Sequence, residues 1–320
     1  MNISRRNFVA ASGLAAATAA LAGCGSSSSS SSSAYKIGVV QLTEHSALDA
    51  SNNGFVEALN NSGIDVSIDQ QNAQNDQSAC QTIASKFVGD GVNLIYAIAT
   101  PAAQAAAAAT TDIPIVGCAI TDYAASGLVK DNDKPGGNVT GASDLTPVAE
   151  QIQMMQKVLP NVKKVGLLYC SAESNSDVQI KTAKEELDAL GLSYEEYAVS
   201  SSNEIQSVVE SAVGKVDALY SPTDNTIAAG AAQVGQICKE NKLPFIPGEE
   251  GMCEAGGLFT LSINYTDLGK LAGEMAVKIL KGEAKPADMA IEHLDSSKLV
   301  VVKNEEMAAA IGVDLSALDA

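Results

Sequence analysis

Short apolar runs recur along the chain at 36–42, 66–68, 93–99 and 113–120, and again at 164–170, 193–199, 216–220 and 243–246. Between them apolar residues return at helical spacing. Phe55 and Leu59 lead into an Asn61-Ser62-Gly63 stop, and Ile83, Phe87 and Val88 precede Gly89. Val178, Leu187 and Leu190 precede Gly191, and Ile205, Val208, Val209 and Val213 mark a fourth helix. Strands alternating with helices predict βαβ units and a parallel sheet, an α/β fold. The runs at 37–40, 94–99, 113–120 and 165–169 are apolar at successive positions. That is the pattern of strands covered by helices on both sides.

The alternation pauses at a Gly/Pro-rich stretch, Lys134-Pro135-Gly136-Gly137-Asn138, and restarts near Val162. The restart predicts a second lobe of the same design. A strand-like run at 258–264 follows, then a long amphipathic helix at 267–280 that stops at Lys281-Gly282. Two β-like runs at 290–293 and 298–302 and a short helix at 305–311 end the chain. These extra elements fit a chain that crosses between lobes more than twice, or a tail that extends the second lobe. The organisation expected is a first lobe of 35–142 plus about 265–285, and a second of 143–264 plus about 286–320.

Ahead of this body, residues 1–23 read as a signal peptide. Ser4-Arg5-Arg6-Asn7-Phe8 is a twin-arginine pattern, and the stretch 9–22 is too short and too rich in Ala and Gly to span a bilayer. It ends in Leu21-Ala22-Gly23-Cys24, which resembles the lipobox of bacterial lipoproteins, with Cys24 the lipidated residue. An unbroken serine run, 26–33, makes 24–34 a flexible tether between a membrane anchor and the body. The expected location is therefore extracytoplasmic, lipid-anchored to the cell membrane.

Composition removes several function classes. The 320 residues carry a formal net charge of −18, and no cluster of Lys and Arg offers a face to nucleic acid. A nucleic-acid regulator built on such a body would need a basic helix-turn-helix where the leader stands. Arg5 and Arg6 are the only arginines, so an anionic ligand group must be held by Lys, hydroxyls or backbone N–H groups. His45 and His293 are the only histidines, which excludes a His-rich zinc site, and no metal or cofactor is expected. The glycine fingerprints of dinucleotide and nucleoside-triphosphate sites are absent. So is a G-x-S-x-G elbow; the nearest run, Gly141-Ala142-Ser143-Asp144-Leu145, lacks the closing glycine. Five cysteines remain after Cys24. Cys118 and Cys170 lie in apolar runs, and Cys238–Cys253 is a conceivable disulfide.

What remains is a set of polar tips at predicted strand C-ends, where open α/β sheets bind ligands. They are Glu44-His45, Thr100-Pro101, Thr121-Asp122-Tyr123, Ser143-Asp144, 171–175, Thr223-Asp224-Asn225-Thr226 and Gly248-Glu249-Glu250. Each also reads as a helix cap: Thr100 before Pro101, and Asp144, Ser174 and Asp224 as side-chain caps. The two readings are compatible, because a capped helix start facing a cleft offers free N–H groups.

Four blocks, in this order and spacing, resemble the ABC-transporter substrate-binding lipoproteins of the tryptophan/tyrosine-uptake type. They are Ile98-Ala99-Thr100-Pro101-Ala102-Ala103-Gln104, then Ala119-Ile120-Thr121-Asp122, then Pro135 to Gly141 with Ser143-Asp144, and Asp224-Asn225-Thr226-Ile227. The resemblance runs from about Tyr35 to Leu315. It implies a type I periplasmic-binding-protein fold: two Rossmann-like lobes with parallel sheets, joined by hinge crossovers, with a small solute between them. It also implies a monomer that delivers an amino acid, aromatic by preference, to an ABC permease and its ATPase, and no enzyme activity. By position, it implies ligand contacts from Glu44, His45, Thr100 and Asp122 in the first lobe and from Ser143 and Asp144 at the crossover. The second lobe would supply Ser171, Asn175, Asp224, Asn225 and Glu249. Tyr123 stands where the family tends to have proline, and could add a ring for stacking. The ligand ammonium would go to Asp122, Asp144 or Asp224, and its carboxylate to the Thr100, Ser143 or Ser171 hydroxyls and to helix-start N–H groups. Asp224→Ala is expected to weaken binding and spare the fold. A lipid-anchored sensor for a membrane receptor, or an α/β enzyme, are the alternatives to an importer component.

Overall fold

A computed structural model describes residues 34–319. The signal peptide, Cys24 and the serine run lie outside the described residues.

The chain opens with β1 (Tyr35–Gln41), α1 (Ser46–Asn61), β2 (Val66–Asn72), α2 (Gln77–Asp90), β3 (Leu94–Ile98), α3 (Thr100–Ala109), β4 (Ile115–Ile120) and β5 (Val139–Ser143). It then passes to a second lobe through α4 (Val148–Val158), β6 (Lys164–Cys170), α5 (Ser174–Ala189), β7 (Ser193–Val199), α6 (Ile205–Ala212) and β8 (Ala218–Ser221). That lobe continues with α7 (Asn225–Ala229), α8 (Ala231–Asn241), β9 (Phe245–Pro247), α9 (Glu250–Ala255) and β10 (Phe259–Ser262). The chain returns to the first lobe for α10 (Tyr265–Leu280) and β11 (Glu292–His293), and ends in the second with β12 (Val300–Lys303) and α11 (Glu305–Ile311).

The first sheet has the order β11-β5-β4-β3-β1-β2 and is parallel throughout. The second is β7-β6-β8-β9, also parallel, with β10 and β12 paired antiparallel beside it. β3 and β4 are buried at every position, as their unbroken apolar sequence requires. The edge strands β2 and β7 carry Asp69, Gln70, Glu195 and Glu196, and only their inner positions are apolar. That is why the apolar run at 66–68 understates β2, which continues to Asn72. β5, with the sequence VTGAS, gives no strand signal of its own. It is held by close backbone approach: Gly141 has φ +152, and a Cβ there would lie 2.1 Å from the Gly117 carbonyl oxygen of β4.

Two apolar cores result. One is built from 37–142 together with Ile263, α10 residues and Ile291; the other from 148–259 together with α11 residues. α10 joins the first lobe because small residues let it lie directly on α1. A Cβ at Gly54 would sit 2.0 Å from the Thr266 carbonyl oxygen, and one at Gly269 2.0 Å from that of Ser51. The chain stays in the first lobe beyond 285: β11 pairs with β5, Glu292 opposite Ala142, and so completes the sheet edge. The final return to the second lobe comes after His293, later than the expected boundary of about 286. Three crossovers therefore join the lobes, at 144–147, 263–264 and 294–299. The five cysteines of the body are free and buried, so Cys238 and Cys253 do not form a disulfide. They act as small apolar side chains in the packing, and burial pushes the Cys238 and Cys253 thiols up to about 12.

Candidate functional site

The C-terminal ends of the strands in both lobes face each other across one cavity. From the first lobe it is lined by His45, Ala47 and Leu48 at the start of α1, and by Ala119 and Thr121 at the end of β4. The second lobe contributes Asn175 from α5, Thr223, Asp224, Asn225 and Ala228 around the start of α7, and Glu249. Asp144 and Tyr265 enter from two of the crossovers. With the lobes at this separation the walls nearly touch and the cavity measures about 10 Å³, room for about one water, so a larger solute enters only if they part.

The second-lobe wall is a dense hydrogen-bond network. Asp224 caps α7 by accepting from the Ile227 N–H at 2.9 Å, and its other oxygen accepts from the Cys170 N–H at 2.6 Å and the Ser176 hydroxyl at 2.7 Å. Glu173, 3% exposed, accepts from the N–H and Nδ2 of Asn225, the N–H and hydroxyl of Thr226, and Nδ2 of Asn175. Burial, and next the charge of Glu173, push the Asp224 carboxyl upward. Glu249 caps α9 by accepting from the Gly251 and Met252 N–H groups, both at 2.6 Å, and burial raises it to about 7.

The opposite wall keeps polar atoms unspent. Asp144 accepts from the Tyr265 hydroxyl at 3.1 Å through Oδ2, while its buried Oδ1 has no partner. Burial raises its carboxyl to about 6. Nε2 of His45 lies 3.3 Å from Asn225 Oδ1, which assigns it the proton, and Nδ1 is left as a buried, unpartnered acceptor. Burial holds the imidazole below its ordinary pKa, hence neutral. On the second-lobe side one lining atom is also unpartnered, Asn175 Oδ1. His45 is the N-cap of α1 with no side-chain cap bond, so the first-turn N–H groups beside Ala47 and Leu48 stay free with their partial positive charge. No Lys or Arg lines the cavity.

Of the sequence-predicted contacts, the structure brings His45, Asp144, Asn175, Asp224, Asn225 and Glu249 to the cavity. The other six do not line it. Glu44 points to solvent. Ser171 is exposed and donates to the Val199 carbonyl. Thr100 is buried at the start of α3, and Ser143 donates to the Thr121 carbonyl at 2.8 Å. Asp122 caps its own turn, accepting from the Ala124 and Ala125 N–H groups and Nδ2 of Asn132. Tyr123 is fully buried in the first core, where its hydroxyl donates to the Ala142 carbonyl and its ring covers Gly117 and Gly141. It fills the space their missing side chains leave, so it is not a stacking ring. The aromatic residue that does reach the cavity is Tyr265, at the first turn of α10. Thr121, Thr223 and Glu173 lay within the predicted tips, but their aspartate and asparagine neighbours drew the assignment. A glutamate one residue before a helix, with no local cap to make, was the available signal for Glu173.

Five hydrogen bonds join the lobes among the described residues. They are His45–Asn225, Asn75–Thr226, Gln77 to the Ala172 carbonyl, Gln104–Ser174 and Gln179–Thr121. Such bonds exist only with the lobes shut.

The family model for ABC transporter substrate binding proteins matches residues 36–317. A tyrosine-binding protein of Clostridioides difficile (strain R20291) is 40% identical over 287 residues, covering 88% of this chain and 82% of that protein. Among solved structures, an ABC domain from Streptococcus pneumonia in complex with L-Trp superposes with a TM-score of 0.86 at 41% identity, covering 90% of this chain and 98% of that one. A ligand-free, open substrate-binding protein from Clostridium difficile is 44% identical, covering 88% and 95%, yet superposes at only 0.67. The higher score is with the L-Trp complex and the lower with the open protein, and the fold is of the type I periplasmic-binding-protein kind.

Proposed function

The chain belongs to the ABC transporter substrate-binding proteins, and on that premise we propose that it captures a free aromatic amino acid, tyrosine or tryptophan, between its lobes. Members of this family bind solutes and are not enzymes. The observation that carries the ligand reading is the set of buried acceptors left open at the cavity, above all Asp144 Oδ1 with Asn175 Oδ1 nearby on the lining. An uncompensated buried acceptor costs stability unless a donor reaches it, and an ammonium supplies three donors and the opposite charge. The ligand carboxylate goes to the free first-turn N–H groups of α1 and to Thr121 or Thr223, since no cationic side chain lines the cavity. Ala47, Leu48, Ala119 and Ala228 leave an apolar wall for the side chain, and Tyr265 offers a ring edge or face.

Entry requires the lobes to swing apart about the three crossovers. Contacts from both walls form only on closure, so binding energy selects the shut form, and the shut form is what an ABC permease with its ATPase would accept. The lipidated Cys24 and serine tether would hold this monomeric body at the outer face of the cell membrane, within reach of the permease. Titration calorimetry with the twenty amino acids is the test. L-tyrosine or L-tryptophan is expected to bind tightest, with L-alanine much weaker; a preference for a small or acidic amino acid would overturn the reading.

A further inference from the structure

Two of the five interlobe hydrogen bonds come from one short loop and the first residue of the helix that follows it, outside the cavity. The segment 73–76 joins β2 to α2. Asn75 Nδ2 donates across the lobe boundary to Thr226 Oγ1 at 3.1 Å, and Gln77 Nε2 to the Ala172 carbonyl at 3.2 Å. None of Asn75, Gln77, Ala172 or Thr226 lines the cavity. We propose that this loop is a clasp, with Asn75 as its positioning residue, that holds the lobes shut and sets the rate at which ligand leaves. The proposal rests on the reading of the chain as a ligand-trapping protein.

The loop is built to hold its shape. The Ala73 and Asn75 N–H groups donate to the Gln41 and Leu42 carbonyls at the end of β1, at 2.9 and 2.8 Å. Gln74 N–H donates to Asn72 Oδ1, and Asp76 caps α2. Gln74 and Asn75 both have left-handed backbones, φ 52° and 62°, although neither is glycine. Non-glycine residues held in that region are a cost that surrounding structure must sustain, and such positions gather where geometry serves function. Here the geometry aims the Asn75 amide at the other lobe.

The receiving side is equally organised. Thr226 is buried, and its hydroxyl donates to Glu173 Oε1 at 2.8 Å, which leaves a lone pair free for the Asn75 amide. The second oxygen of Glu173 accepts from Asn225 Nδ2 at 2.6 Å and Asn175 Nδ2 at 3.2 Å, and both of these asparagines line the cavity. One buried carboxylate therefore orients both the clasp's receptor and the amides that meet the ligand. Closing the clasp and seating the ligand draw on the same arrangement, so each favours the other.

The decisive variant is Asn75→Gly combined with Gln77→Ala. Glycine keeps the left-handed backbone at 75 and removes only the amide. Stopped-flow release of L-tryptophan and of L-tyrosine is expected to be about tenfold faster than in the wild type, the loss of two neutral hydrogen bonds from the closed state alone. Thermal melting of the ligand-free protein is expected to change by much less than the release rate does, because a protein that can open does not depend on these bonds for its fold. Spin labels on exposed positions of the two lobes, read by pulsed EPR, are expected to show a smaller closed fraction in the variant. Unchanged release overturns the clasp, and so does a faster release matched by an equal loss of ligand-free stability. If neither amino acid binds the wild type, the ligand reading fails by itself. The clasp is then decided by the EPR distances alone, and an unchanged closed fraction overturns it.

Discussion

On the second-lobe side of the cavity, Asp224 on its lining accepts three hydrogen bonds and Glu173 behind it five, all from the protein's own N–H, amide and hydroxyl groups. Across from them, at the crossover, Asp144 accepts one from Tyr265 and keeps a buried oxygen free. All three carboxylates are buried and close to the same space, yet they are committed differently. A carboxylate whose lone pairs are filled by backbone donors is part of the scaffold: removing it orphans those donors. One with a lone pair left over has reactivity toward a ligand. Burial alone does not distinguish them, and the partner count does.

The sharpest way to break this comparison is Asp224→Ala. It strands the Cys170 and Ile227 N–H groups and the Ser176 hydroxyl in a buried site, at a cost on the order of 3 kcal/mol or more. A clear drop in the thermal midpoint of the ligand-free protein is expected, where the sequence reading expected this change to spare the fold. A normal melt with weakened binding would return Asp224 to the ligand-contacting set.

Asp144→Asn is the counterpart. It keeps the shape and an acceptor but deletes the charge, and a charge-assisted hydrogen bond is worth about 1.5–3 kcal/mol, or roughly ten- to a hundredfold in affinity. Calorimetry should show that loss for L-tryptophan or L-tyrosine while the ligand-free melting temperature holds or rises. Equal affinity for variant and wild type would remove Asp144 from the site.

The smallest effect is on pH dependence. Asp144 moves from an ordinary 3.8 to about 6, and Glu249 from 4.5 to about 7, both through burial. In the window from about 4 to 7 the folded, shut protein therefore holds protons that the unfolded chain releases, and its ligand-free stability falls as pH rises through that window. An ammonium beside Asp144 favours the ionised carboxylate, so ligand-induced stabilisation should grow over the same range. Between pH 5 and pH 7.5 the ligand-free melting midpoint is expected to fall, and the gap between the midpoints with and without L-tryptophan to widen, by amounts equivalent to a few-fold in affinity. Parallel shifts would mean that the ligand's cation does not meet Asp144.

The sequence carried the α/β alternation and the doubled design, because a strand covered on both faces must be apolar throughout, and 94–98 and 115–120 are. It also located the strand ends that face the cavity, because polar and helix-capping residues gather where buried strands emerge. It did not show which polar residue at each end serves which purpose. Thr121 rather than Asp122 lines the cavity, because Asp122 is consumed by its own turn and by Asn132. Tyr265 rather than Tyr123 reaches it, because the Tyr123 ring is packed into the first core against the glycine pair at 117 and 141.

Local pattern thus determined the elements, their order and the list of candidate tips, since strand burial and helix capping depend on near neighbours in the chain. Tertiary structure alone decided the return of the chain after His293, the scaffold role of Glu173 and Asp224, and the free oxygen of Asp144. Those depend largely on hydrogen-bond partners about fifty or more residues away, and whether a lone pair is spent is known only when its partner has arrived.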